Sequence, residues 1–374
     1  MKKLGFGGMR FPLLNPDDKT SIDQEQVNAM ADAFLDAGFT YFDTAYLYHD
    51  EASEPAFKKA LTDRHKREEF ILADKMPTVI VRKPEDYAIY FQNQLDRTGA
   101  GYFDYYLMHN MGKDRYDVNV KFGGFDFIRE QIAAGKIRHF GFSFHDDPET
   151  LDRILTEQPE VEFVQLQINY LDWDNEVIQS RKCYETCVKH GKKIIVMEPV
   201  KGGTLANLPK EAEELLRAYN PDASPASYAL RFAAGLENVM MVLSGMSNME
   251  QMQDNISFMR DFKPLDETER AAVEKVQEIF YSKNLIPCTA CRYCTDGCPK
   301  HISIPDLFAI MNTKQIHHDW NADCYYEDVH TAPGRKASDC LKCGKCEKVC
   351  PQHLPIRKLL EQVAAEFEKA PAAN

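Results

Sequence analysis

The 374-residue chain is short of several things, and each shortage excludes a class of protein. No run approaches the ~18 uncharged apolar residues that a membrane-spanning helix needs. The opening MKKLGFGGMRF is apolar only over residues 4–9 before Arg10, too short for the apolar core of a secretory signal. Basic residues are in deficit, 45 Lys+Arg against 58 Asp+Glu for a net charge of −13, and no basic tract occurs, which argues against nucleic acid or an anionic membrane surface as partner. No Gly-x-Gly-x-x-Gly follows an expected strand and no phosphate-loop Gly/Lys pattern occurs, so a doubly wound nucleotide-binding sheet has little support. Cysteine is scarce over most of the length: two residues lie outside 288–350, and the other nine lie within it, eight of them in two regularly spaced sets. A soluble, cytoplasmic protein is expected, and in a reducing compartment clustered thiols read as metal ligands before disulfides.

Eight short β-rich apolar segments recur through the first 245 residues: 4–9 (LGFGGM), 39–43 (FTYFD), 70–75 (FILADK), 103–109 (FDYYLMH), 137–143 (IRHFGFS), 161–167 (VEFVQLQ), 193–198 (KIIVME) and 239–244 (VMMVLS). Most are 25 to 45 residues apart, and stretches such as 24–37 and 84–97 between them carry helical patterning. Eight such βα units predict an α/β fold of the (β/α)8 TIM-barrel type, which at roughly 250 residues counts as one domain. A further helix is expected over 266–281, opened by a capping box from Asp266 and Glu269. The domains are then 1–282, the barrel with its trailing helix, and 283–374, a cysteine-rich module.

In that module Cys288-x2-Cys291-x2-Cys294-x3-Cys298-Pro299 is repeated as Cys340-x2-Cys343-x2-Cys346-x3-Cys350-Pro351. This spacing places three thiolates on one [4Fe-4S] cubane and sends the fourth, ahead of the proline, to a second cluster. Zinc is the alternative, but structural zinc takes ligands in two separated pairs, and successive x2 spacings crowd such a site. The connector 299–339 carries a helical pattern at 304–312, and 355–370 is helical as well, so the module is expected to be small and mainly α-helical.

Barrel enzymes place their chemistry at the C-terminal ends of the strands. Asp43 ends the second strand with Tyr48 five residues on, Lys75 ends the third and His109 the fourth. An acid, a tyrosine, a lysine and a histidine at one mouth suit carbonyl chemistry. Tyr48 would be the proton donor, its pKa of about 10 lowered by the Lys75 ammonium; Asp43 would hold Lys75, and His109 would hydrogen-bond the substrate oxygen. Individually each has a plainer role, as a structural ion pair or a pocket lining.

The opening LGFGGMR, the run FDTAYLY, the lysine of LADK and the histidine of YLMH resemble the aldo-keto reductase superfamily over residues 1 to about 262. The resemblance implies that Asp43, Tyr48, Lys75 and His109 form the catalytic tetrad and that hydride passes between NAD(P)H and a carbonyl or alcohol carbon. It also implies that Ser143 and Gln165 meet the nicotinamide carboxamide, and that Ser244 and Asn255 lie in the adenosine-phosphate region. Two positions depart from the family. Met197 stands where many members stack a tyrosine on the nicotinamide, and Gly245 and Gln251 stand where NADPH-specific members carry basic residues, leaving NADH, NADPH and a flavin open and Arg260 or Lys263 as substitutes. The tail resembles two-cluster ferredoxins in their α-helical form. Their crossed arrangement implies one cluster on Cys288, Cys291, Cys294 and Cys350, and another on Cys340, Cys343, Cys346 and Cys298.

The remaining signals are weaker. Cys183 and Cys187, on one face of an expected helix, read as small buried hydrophobes. Cys324 reads as a spectator, His317, His318 and Trp320 as a loop near the clusters, Trp173 as a pocket lining or plain packing, and Arg10 as an anion or carboxylate partner. A nicotinamide delivers two electrons as hydride while a cluster takes one, so the fusion leaves two functional readings. One is an NAD(P)-linked reductase of a small carbonyl whose clusters relay or regulate electrons. The other is a reductase or electron-transfer subunit driven by a redox partner such as ferredoxin, without a nicotinamide.

Overall fold

The computed structural model describes residues 2–368 other than 17, 176–177, 283–284, 318–320 and 332–334, and gives the backbone alone at 316, 317, 321, 324, 325, 328 and 329. The strands are β1 (Leu4–Gly7), β2 (Tyr41–Asp43), β3 (Ile71–Met76), β4 (Phe103–Met111), β5 (Ile137–Phe144), β6 (Phe163–Gln167), β7 (Lys193–Met197) and β8 (Val239–Ser244). All are parallel, in chain order, and β8 pairs with β1 to close the barrel. Each lies within two residues of its expected span, because strands buried on both faces write themselves as apolar runs.

Side chains alternate across a strand, so residues two apart face the same way. Tyr41, Ala73, Leu107, Phe163, Ile195, Met241 and Leu243 form one buried apolar cluster contributed by strands around the barrel. Gly141 leaves room there, since a Cβ on it would stand 2.4 Å from the Phe163 carbonyl and 2.7 Å from its ring. This plug fixes what stands above it. Asp43, Lys75, His109, Ser143, Gln165 and Met197 each lie two residues beyond an inward position, on the C-terminal side.

The chain divides into two compact units, one of residues 1–199 and 226–265, the other of 200–225 and 266–374. In the second, the helix Glu267–Ser282 has the reciprocal cap: Asp266 N–H donates to Glu269 Oε2 at 3.0 Å and Glu269 N–H to Asp266 Oδ1 at 2.8 Å. The helices Ile304–His317 and Ile356–Phe367 enclose a core of Ile302, Leu307, Phe308, Leu354, Leu360 and Val363, with Cys294 and Cys346 built into it. Tyr326 stacks on Phe367 at 4.7 Å.

Candidate functional site

At the C-terminal ends of β2, β3 and β4, Lys75 is wholly buried and its Nζ donates to Asp43 Oδ1 at 2.5 Å and to the Thr44 carbonyl at 2.7 Å. Asp43 is equally buried, and its Oδ2 has no hydrogen-bond partner among the described residues. Burial pushes the Asp43 carboxyl pKa up against the pull of Lys75. The half-buried Tyr48 ring lies 4.9 Å from Lys75 Nζ and meets His109 edge to face at 5.8 Å. The four residues proposed from sequence therefore stand together.

Their electrostatics differ from the expectation in one respect. Burial holds the Tyr48 hydroxyl well above its ordinary pKa, and Asp43, Glu198 and Asp74 add to this against a smaller opposing effect of Arg10. The Lys75 charge is balanced by Asp43 in direct contact, so the tyrosine faces an ion pair in place of a bare ammonium. His109 is pushed well below its ordinary value, first by burial and then by the charges of Lys75, His145 and Arg115. At neutral pH the site thus holds a protonated tyrosine beside a neutral imidazole.

Two supports were not legible from sequence. Tyr48 is presented by a turn in which His49, Asp50 and Glu51 all have positive φ (54°, 50° and 74°), a left-handed conformation that costs non-glycine residues roughly 1–2 kcal/mol each. His49 pins the turn: its Nε2 accepts the Phe11 N–H at 3.0 Å, which fixes Nδ1 as the donor to the Lys19 carbonyl at 2.8 Å. Beneath Lys75, on the outward face of β3, Asp74 accepts from Gln94 Nε2 at 2.7 Å, and the same amide reaches Glu54 at 3.1 Å. Both carboxyls are buried and their pKa values are raised, first by burial.

Ser143 and Gln165 are register partners on β5 and β6. Ser143 Oγ accepts the Asn110 N–H at 2.7 Å; Gln165 Nε2 donates to Met197 Sδ at 3.4 Å, and its buried Oε1 has no partner among the described residues. Ser244 has the opposite parity to Leu243, and its Oγ accepts from Asn255 Nδ2 at 2.7 Å. The start of the helix Met249–Met259 is occupied by its own side chains: Asn248 Oδ1 accepts the Gln251 N–H and Gln251 Oε1 the Ser247 N–H, each at 2.8 Å. Arg260 and Lys263 lie beyond the far end of this helix, about 16 Å away at 1.5 Å per residue. Arg10 lies 3.5 Å from Glu198 and against Gly245. Trp173 packs on Tyr184 and Phe232, and Cys183 and Cys187 are buried, the Cys183 thiol pushed up to about 12 by burial. The side chains of Cys324, His317, His318 and Trp320 lie outside the described residues.

In the second unit the cysteines divide between two cavities. One, of about 310 Å³, is lined by Cys288, Cys291, Cys294 and Cys350; the other, of about 340 Å³, by Cys298, Cys340, Cys343 and Cys346. The sequence repeat is a backbone repeat too: Ala290, Arg292 and His301 have positive φ, and so do Lys342, Gly344 and His353, each 52 residues later. Among the described residues no three of His, Cys, Asp or Glu stand close enough to share one ion. The segment following β7 reaches the first cavity. Gly202 (φ 66°) approaches Thr289, between Cys288 and Cys291, so closely that a Cβ would stand 2.4 Å from its carbonyl oxygen.

Residues 3–278 match the aldo/keto reductase family and residues 287–355 match a 4Fe-4S dicluster domain. The chain belongs to the aldo/keto reductase family and is an oxidoreductase, with a 4Fe-4S dicluster domain following the barrel. Its fold is similar to that of the holo form of aldo-keto reductase AKR11C1 from Bacillus halodurans (23% identity, TM-score 0.60, 73% of this chain and 91% of that one). It is similar too to an aldo/keto reductase from Klebsiella pneumoniae in complex with NADP and acetate (19% identity, TM-score 0.59, 74% and 91%). A stretch of 77 residues, 21% of the chain, is 27% identical to acetyl-CoA decarbonylase/synthase complex subunit alpha 1 of Methanosarcina acetivorans, of which it spans 8%. No helix among the described residues is long and apolar enough to cross a membrane.

Proposed function

We propose that the protein reduces a small carbonyl compound, or oxidises the corresponding alcohol, with Tyr48 as general acid/base and two [4Fe-4S] clusters relaying or regulating electrons. The observation that carries this is the Lys75–Asp43 pair at 2.5 Å beneath Tyr48 and His109. In the reducing direction the carbonyl oxygen lies between the two rings. Neutral His109 donates a hydrogen bond to it, and Tyr48 gives up its proton as negative charge develops there, a contribution of typically 10²–10⁴ in rate. Lys75 stabilises the phenolate left behind, Asp43 and the Thr44 carbonyl hold the ammonium in place, and solvent returns the proton. Bound NAD(P)H would supply the hydride to the carbon.

The nicotinamide end of such a cofactor is fitted by Gln165, whose buried, unpaired Oε1 is an acceptor for an amide N–H, with Ser143 beside it. The far end fits a 2′-phosphate poorly: Ser244, Asn248, Gln251 and Asn255 bond to the protein itself, which favours NADH over NADPH. The same observation favours, as a second reading, a reductase fed through the clusters by a partner such as ferredoxin, with a flavin or without any nucleotide.

Each cavity offers four thiols, the donor set of a [4Fe-4S] cluster, which supplies single electrons when bound. Structural zinc takes its ligands in two separated pairs, and the successive x2 spacings crowd such a site. In this reading residues 1–282 perform the carbonyl chemistry and 283–374 carry the clusters, in the reducing cytoplasm where thiols persist. The test is Tyr48→Phe, assayed anaerobically with NADH and NADPH against a panel of aldehydes and ketones. A loss of about 10²-fold or more in kcat is expected, and unchanged turnover on every substrate that wild type reduces removes Tyr48 from the acid role.

A further inference from the structure

The two cysteine cavities differ in what covers them. The first is walled by Thr289, Ile304, Phe308, Gln352, Leu354 and Ile356, all buried, and the Gly202 backbone presses on Thr289. The second has exposed residues in its lining. Cys343 alone of the eight cysteines is exposed, and beside it Leu341 is 60% exposed.

Charge marks the same spot. Although the chain carries −13 overall, residues 335–348 hold five Lys/Arg against two Asp/Glu. Lys342 is paired with Glu361 at 2.6 Å, and Glu347 is taken by Arg357 at 2.8 Å. Lys300, Lys345 and Lys348 have no ion pair among the described residues; Lys300 and Lys345 line the second cavity, and Lys345 and Lys348 are exposed. An apolar tip on a thiol loop, ringed by unmatched ammonium groups, is thus set in an otherwise acidic molecule.

We infer that this face is the electron port: a small acidic one-electron carrier protein docks on Leu341, Lys300, Lys345 and Lys348. It passes one electron to the cluster held by Cys298, Cys340, Cys343 and Cys346, the carrier being oxidised and the cluster reduced by one unit. The cluster behind Thr289 is then the inner one. Negative charge elsewhere on the chain repels such a partner while the patch attracts it, an arrangement that raises association rates by 10- to 10³-fold and fixes orientation. This rests on the reading that the eight cysteines hold two [4Fe-4S] clusters.

The experiment uses the full-length, anaerobically purified holoprotein and a reduced acidic bacterial ferredoxin as probe, following cluster bleaching by stopped flow. The variants are Lys345→Glu/Lys348→Glu and, as a control of equal charge change, Lys59→Glu/Lys83→Glu on exposed positions of the barrel. Wild type and control should be reduced at rates that fall steeply as salt rises from roughly 0.01 to 1 M, over which the Debye length shrinks from about 30 to 3 Å. The port variant should be at least about tenfold slower at low salt, with a flattened salt dependence, equal iron content and an unchanged rate with a small neutral reductant. Equal rates in all three proteins overturn the port. So does a loss shared by the neutral reductant, which would assign the lysines to the cluster's own potential. Absence of any [4Fe-4S] signal in wild type would instead overturn the cluster assignment beneath it.

Discussion

Replacing Gly202 by alanine tests how the segment after β7 meets the first cluster loop. Two costs can be read from the geometry. The residue sits at φ 66°, where a Cβ costs roughly 1–2 kcal/mol. The new methyl would stand 2.4, 2.8 and 2.9 Å from the O, C and Cα of Thr289, all backbone atoms, so relief requires moving the chain by about 1 Å and not turning a side chain. Overpacking of that kind costs ~1–3 kcal/mol, for a total of about 2–5 kcal/mol. Gly101 separates the two contributions, having φ 75° and nothing within 4 Å of its Cβ position. Gly101→Ala should therefore lose only the conformational part. Because Thr289 lies between Cys288 and Cys291, the displacement in Gly202→Ala falls on the thiols proposed to hold a cluster, and iron and sulfide per chain should drop along with stability. Both are measured anaerobically, by urea unfolding followed through cluster absorption and by iron analysis. Gly202→Ala matching Gly101→Ala in both would refute the reasoning.

Other perturbations follow from the barrel. Lys75→Met leaves Asp43 buried beside no cation and should cost about 3–5 kcal/mol in urea unfolding, with most of it recovered in Lys75→Met/Asp43→Asn; a single-variant loss under ~1 kcal/mol would contradict the burial of the pair. His49 has its pKa lowered, chiefly by burial, so its contribution is present above the unfolded value near 6.5 and is lost as pH falls through the lower folded value. Protonation ends the Phe11 bond and loosens the Tyr48 turn, so His49→Gln should lack the acid-side loss of activity and stability, and an identical acid limb in both proteins would count against it. Asp74 and Glu54 have raised pKa values, so their contribution is present below about 4 and is lost as pH rises through the folded values. Asp74→Asn should accordingly gain stability relative to wild type as pH rises above about 4, and a parallel pair of curves would exclude a buried ionising pair.

The barrel was legible because short apolar runs separated by helical stretches are a pattern that survives in any one sequence. Strand parity explains why Asp43, Lys75 and His109 could be read as one site: each follows an apolar plug position by two residues. Parity also explains Ser244, which its neighbour Leu243 assigns to the outward face, where it meets Asn255. The left-handed turn at His49–Glu51 left no trace, for the sequence HDE carries none of the glycine that usually announces positive φ. The raised Tyr48 pKa was equally hidden, since it depends on burial and on Glu198, distant in sequence. The demand for glycine at 202 was hidden as well, because the backbone that imposes it is 87 residues downstream.

The grouping of 200–225 with 266–374 bears on biosynthesis. The helix Lys210–Tyr219 packs on Glu267–Ser282, and Gly202 meets Thr289, so the crossover that leads from β7 to the closing strand β8 has its partners in chain made later. At about 5–20 residues per second, the ~150 residues after 225 take roughly 7–30 s to emerge. During that interval residues 200–225 lack the later half of the unit they belong to. A graft of residues 283–374 alone onto another barrel would leave behind 200–225 and 266–282, with which those residues form one compact unit.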